Sequence, residues 1–157
     1  MDKIPITPKG YDALEIELKD LKYVQRPKVI EDISVAREHG DLKENAEYHA
    51  AREQQSFIEG RIDEVEAVIS RANIIDPTKM TGNTVKFGAT VEIVDEETDV
   101  ETTYQIVGEQ ESDIDNCKLS IAAPLAKALI GKSVGDTVTV RTPKGATDYE
   151  ILSVKWV

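Results

Sequence analysis

Apolar residues recur at two different periods along this chain, and the change falls at Asp76-Pro77. Before that point the spacing is three and four. Tyr11, Leu14, Leu18 and Leu21 form a one-sided stripe that predicts an amphipathic helix. Thr7-Pro8 opens it, a capping hydroxyl followed by a proline whose missing N–H costs nothing at the first helical position. Pro27 would remove a hydrogen bond and clash with the preceding turn, so a kink or short break is expected near Gln25–Pro27. Val29, Ile30 and Ile33 resume the pattern, and Arg37, Glu38 and His39 close the arm. Gly40 is suited to a left-handed C-terminal cap. A second arm is predicted from about Leu42 to Ala72 or beyond, where Ile58, Ile62, Val65, Ile69 and Ala72 follow a coiled-coil seam. Traced backwards, that seam passes through Gln55, Ala51 and Tyr48 and becomes thinner and more polar. Equal arms around one turn predict an antiparallel hairpin of roughly 46 Å at ~1.5 Å per residue.

After Pro77 the pattern shortens to strands. Pro77 to Asn83 reads as a linker. Strands are expected at Lys86-Phe87, Thr90–Val94, Glu101–Val107, Leu119–Ile121, Thr137–Thr142 and Tyr149–Trp156. A short helix is expected at Pro124–Ile130, stopped by Gly131. The fold class is therefore α+β: a coiled-coil hairpin over 1–76, then a small antiparallel sheet over 77–157 with the helix on one face.

Charge narrows what such a chain can bind. Thirty Asp+Glu oppose 19 Lys+Arg, a net of −11 spread over both halves. Phosphates would repel it, so independent tight binding to duplex DNA is not expected. The single cysteine, Cys117, builds no intramolecular framework, which points to a reducing compartment. No long apolar run suggests a leader or a membrane span, so the expected location is the cytoplasm, without membrane attachment.

The most specific stretch lies at the turn of the hairpin, Arg37-Glu38-His39-Gly40-Asp41-Leu42-Lys43-Glu44-Asn45-Ala46-Glu47-Tyr48. It carries two carboxylates, Asp41 and Glu44, far from any apolar core. Their spacing also fits a capping box, with Asp41 at the cap and Glu44 three residues on. His39 suits a helix C-terminus. Tyr48 either packs on the opposite arm or meets a partner. The run Asp95–Asp99 reads as a solvated hairpin turn, since its spacing is not that of a calcium loop.

This stretch, continuing through His49-Ala50-Ala51-Arg52-Glu53-Gln54-Gln55, closely resembles the Gre transcript-cleavage factors of bacteria, GreA type. Further likeness lies in Ile4-Pro5-Ile6-Thr7, in Phe87-Gly88-Ala89-Thr90-Val91 and in the run from Ser120 to Lys132. The resemblance implies an FKBP-like sheet domain that docks on bacterial RNA polymerase, with Ser120 and Pro124 in the matching surface. It implies a hairpin that enters the polymerase's secondary channel. There it would stimulate the polymerase's own cleavage of the RNA 3′ end in backtracked complexes. It assigns Asp41 and Glu44 to a shared magnesium ion, with no tightly bound cofactor of the chain's own.

The residue chemistry suits that role. Magnesium takes one or two carboxylates alongside phosphates and water, so two tip carboxylates would complete a site that another protein has begun. Arg37, Lys43 and Arg52 lie near enough to offset repulsion from RNA phosphates, and Tyr48 is a further candidate for contact there. The expected state is a monomer that is no enzyme by itself. A free-standing nuclease or prolyl isomerase is the rival, but Phe87, Tyr104, Tyr149 and Trp156 are few aromatics for a peptide cleft. A self-associating structural hairpin would need a seam that stays apolar to its end.

Overall fold

The computed structural model describes residues 2–40 and 44–157. By contact the chain forms two compact units. One comprises Met1–Asp2 and Tyr11–Ala72, the other Lys3–Gly10 and Asn73–Val157. The reading of the sequence divided the chain at 76/77, whereas the short segment Lys3–Gly10 belongs with the second unit.

The first unit is helical. α1 (Pro8–Asp20) begins as its cap predicts: the Thr7 hydroxyl accepts the Gly10 N–H at 3.2 Å. It passes into a π-helical turn over Leu21–Gln25 and on into α2 (Arg26–Arg37). The expected break near Pro27 thus takes the form of a widened turn just before it. The Arg26 N–H reaches back to the Leu21 carbonyl, and both dihedral pairs flanking the turn stay right-handed helical. A π turn absorbs the room a mid-helix proline needs, so the chain continues as one arm.

α3 (Ala46–Arg71) runs back along this arm. Leu21, Val29, Ile33, Ala51, Ile58 and Ile62 make the buried seam, with Leu18 and Tyr48 packed at its margins. Ile30, grouped with the seam by spacing, is instead 51% exposed. Val29 takes the inward position instead, on the same face as Leu21 and Ile33. Two bidentate ion pairs cross between the arms. Arg61 donates to both oxygens of Glu17 at 2.6 and 2.7 Å, and Arg26 to both oxygens of Glu59 at 2.8 and 2.7 Å. These guanidinium bonds hold the Glu17 and Glu59 carboxyls below the ordinary carboxylate value and raise both arginines.

The second unit is built on a five-stranded sheet, ordered β5-β4-β3-β7-β6. Its strands are β3 (Thr90–Asp95), β4 (Glu101–Val107), β5 (Lys118–Ser120), β6 (Thr137–Thr142) and β7 (Gly145–Lys155). All pairs are antiparallel except β4 with β5, which run parallel. α4 (Pro124–Leu129) lays Ala126 and Leu129 on a core of Val85, Val91, Ile93, Ile106, Leu119, Val138 and Ile151. Lys86-Phe87, expected as a strand, is loop, although Phe87 is buried. The Asp95–Asp99 run is a turn, as expected. Asp95 accepts the Glu97 and Thr98 N–H groups at 2.9 and 3.3 Å.

Two short strands escaped the periodicity. β1 (Ile4–Ile6) pairs with β2 (Ala72–Ile74) in a separate sheet, and the Ile75 N–H bonds the Ile6 carbonyl at 2.9 Å. The Glu111 carboxylate joins this region to the loop after β4. It accepts the Thr7 and Gly108 N–H groups, each at 3.0 Å, and the Thr7 hydroxyl. Gly10 makes room for it, because a β-carbon there would collide with the Glu111 side chain.

Candidate functional site

The end of the hairpin is shaped by two helix termini that lie side by side. α2 ends at Arg37. The chain then turns through Glu38 and His39, whose N–H groups bond back to Val35 and Ala36 at 3.1 Å. Gly40 follows with φ of +113°, a conformation that side chains rarely adopt. Asp41 and Lys43, two of the candidate residues, lie outside the described residues, as does Leu42.

The second helix starts later than its sequence suggested. α3 begins at Ala46, with Asn45 extended at φ −88°, ψ 95° as its cap. Glu44 therefore stands before the cap in a turn and is not the third helical residue that a capping box requires. Asparagine caps as well as aspartate, and the mostly polar stretch from 41 to 45 offers both. Periodicity could not choose between them, because the seam is thinnest there.

Asn45 binds both termini at once. Its Oδ1 accepts the Tyr48 N–H at 3.1 Å, and its Nδ2 donates to the Ala36 carbonyl at 2.5 Å. One amide thus satisfies an orphan donor of α3 and an acceptor in the last turn of α2. The orientation is fixed by chemistry, since a backbone N–H only donates and a carbonyl only accepts. Tyr48 is half-buried, and the Arg37 guanidinium carbon stands 5.8 Å from its ring centroid, a cation–π arrangement. The His49 ring meets Tyr48 edge-on at 5.5 Å and 69°.

The candidates thus divide. Arg37 and Tyr48 come together across the hairpin. Tyr48 lies at the margin of the seam, the packing role among its two expected uses. Glu44 is exposed and shares a shallow concavity with His39, Asn45, Ala46 and Glu47. Arg52 is exposed one turn beyond Tyr48. Ser120 and Pro124 belong to the other unit. Ser120 ends β5, and its hydroxyl and carbonyl accept the Ala122 and Ala123 N–H groups at 3.1 and 2.9 Å. Pro124 opens α4 and is exposed. The residue that sequence reading missed is Asn45. Its signal was present in the polar side chain just before Ala46, but Asp41 supplied a competing one.

Among the described residues no group of three His, Cys, Asp or Glu comes together to hold a metal ion. An exposed carboxylate such as Glu44 fits magnesium as one ligand of a site that other oxygens complete. Among those residues, too, no helix is long and apolar enough to cross a membrane.

Comparison with known proteins gives two family matches that together span most of the chain. "Transcription elongation factor, N-terminal" matches residues 4–74, and "Transcription elongation factor, GreA/GreB, C-term" matches residues 80–156. The chain is 62% identical over 157 residues to transcription elongation factor GreA of Cereibacter sphaeroides, covering all of both proteins. It is 59% identical to that of Paracoccus denitrificans, again over both full lengths. The GreA of Rickettsia felis is 60% identical over 98% of this chain and 95% of its own. Among solved structures, the transcription factor Gfh1 is 27% identical over 98% of this chain and 99% of that one, with a TM-score of 0.47.

Proposed function

Because the chain belongs to the GreA/GreB family of transcription elongation factors, of GreA type, we propose that it acts on stalled RNA polymerase by presenting Glu44 and Asp41 to the polymerase's own active site. The partner is bacterial RNA polymerase, and the substrate is the RNA 3′ end of a backtracked transcript. The hairpin enters the secondary channel, and the sheet unit docks outside it through the surface around Ser120 and Pro124. The chain itself is a factor that lends ligands, working as a cytoplasmic monomer without tight duplex-DNA binding of its own.

The observation that carries this reading is the exposed Glu44 carboxylate beside a neck closed by Asn45. A side chain so placed is neither helix cap nor core. Magnesium shared with the polymerase would activate water and stabilise the leaving oxygen of the phosphodiester. The chain's residues hold and orient. Glu44 and Asp41 supply anionic oxygen, Arg37, Lys43 and Arg52 offset repulsion from RNA phosphates, and Tyr48 braces Arg37.

The test is a backtracked polymerase complex carrying RNA labelled at its 3′ end. Addition of the protein should release a short labelled fragment and allow elongation to resume. The same RNA without polymerase should remain intact. Cleavage of free RNA would make the chain a nuclease and overturn the proposal.

A further inference from the structure

Asn45 performs two tasks with one amide, and substitution can separate them. Its oxygen caps α3 through the Tyr48 N–H, a contribution to helix stability. Its nitrogen reaches across to the Ala36 carbonyl, nine residues back along the chain on the other arm. The two bidentate ion pairs cross elsewhere, at Glu17–Arg61 and Arg26–Glu59. The apolar seam has thinned to Ala36, Ala51 and the half-buried Tyr48.

We infer that Asn45 is a positioning residue for the tip carboxylate: its side-chain N–H, bonded to the Ala36 carbonyl, fixes the point from which Glu44 departs. The inference rests on the cleavage reading above. Glu44 is bonded directly to Asn45 in the chain, so the point where its backbone joins α3 is set once that amide is anchored to both arms. Freed from α2, the start of α3 can swing, and Glu44 moves with it. Geometry of this kind matters for catalysis, where a 1 Å misplacement can cost about 10²-fold in rate. Ala36 suits the acceptor role. It is buried at the end of α2, and its carbonyl, which also accepts the His39 N–H at 3.1 Å, has a second lone pair for the Asn45 amide.

Aspartate and serine keep a capping oxygen but lack the amide donor. The Asp carboxylate would face the Ala36 carbonyl, and the Ser hydroxyl is one atom shorter. The experiment compares wild type, Asn45→Asp, Asn45→Ser and Asn45→Ala in the backtracked-complex assay. Cleavage rate is measured against protein concentration, with thermal melting and Tyr48 amide exchange measured in the free protein. In Asn45→Asp and Asn45→Ser the Tyr48 amide should stay protected. The rate at saturation should fall by at least about tenfold, with the half-saturating concentration unchanged. Asn45→Ala should lose the rate, the amide protection and part of the melting temperature together.

If Asn45→Asp disrupts the fold, the uncharged Asn45→Ser carries the comparison. Wild-type rates at saturation in both capping variants would overturn the inference. So would a change confined to half-saturation, which would make Asn45 a docking contact. If wild type itself stimulates no cleavage, the functional reading fails first, independently of Asn45.

Discussion

The two ends of the helical hairpin are held by different physics. Away from the tip, Ile58 and Ile62 are almost wholly buried against Leu21 and Val29, and ion pairs flank that seam. At the tip, the described closure includes the Asn45 amide and the Arg37–Tyr48 cation–π contact. Apolar packing resists deformation but tolerates little chemistry. Polar closure needs few atoms and leaves neighbouring side chains exposed. A charge such as Glu44 can be presented only where the core has already ended, and a small hydrogen-bonded neck can still set its direction.

This contrast predicts unequal costs for substitutions. Ile62→Ala removes side-chain volume from the dry end of the seam and should destabilise the protein by about 2–5 kcal/mol, measured by denaturant unfolding. Loss of less than ~1 kcal/mol would show that the seam is loosely packed. Arg37→Ala takes away the cation over Tyr48 and should cost only about 0.5–1 kcal/mol. A cost equal to that of Ile62→Ala would erase the distinction between the ends. Ile30→Ala tests where the margin of the seam lies. The side chain is exposed, so the change should stay within about ±0.5 kcal/mol. If Ile30 belongs in the seam, as its spacing suggested, unfolding will show a core-sized loss.

The smallest effect concerns the ion pairs. Arg61 and Arg26 lower the carboxyl pKa values of Glu17 and Glu59 from 4.5 in the folded state. A depressed folded value means stabilisation that is present above about pH 4.5 and is lost as pH falls through the folded value. Both pairs are solvent-accessible, so the contribution of Glu17 should be a few tenths of a kcal/mol, near the ~0.2–1 kcal/mol of exposed pairs. Melting temperature followed from pH 6 to pH 3 should fall less steeply in Glu17→Gln than in the wild type. Parallel curves would mean that the Glu17 pair contributes nothing.

Legibility in the sequence followed the same division. The cap at Thr7, the seam from Ile58 to Val65 and the limits of β4 and β6 were readable because one strong local pattern decided each. β2 was absorbed into the helical reading and β1 was given no element, since three residues each are too few to show alternation. The parallel pairing of β4 with β5 depends on which distant segment returns alongside, and local pattern is silent on that. At the tip, two good capping residues lay four positions apart in a mostly polar stretch. The bonds from the Tyr48 N–H and to the Ala36 carbonyl mark Asn45 as the cap of α3.

That displacement of the helix start makes the central claim simpler to test. Glu44 does not lie within α3, so Glu44→Gln changes charge with little consequence for helix capping. The decisive measurement is the rate of 3′-end RNA cleavage in a backtracked polymerase complex at saturating protein, wild type against Glu44→Gln. Competition with labelled wild-type protein for polymerase should be measured alongside. The account predicts that Glu44→Gln binds as well as the wild type and loses most of the stimulated cleavage, because a neutral amide replaces an anionic ligand. Full cleavage by Glu44→Gln at equal occupancy would contradict it, and would remove this carboxylate from the chemistry.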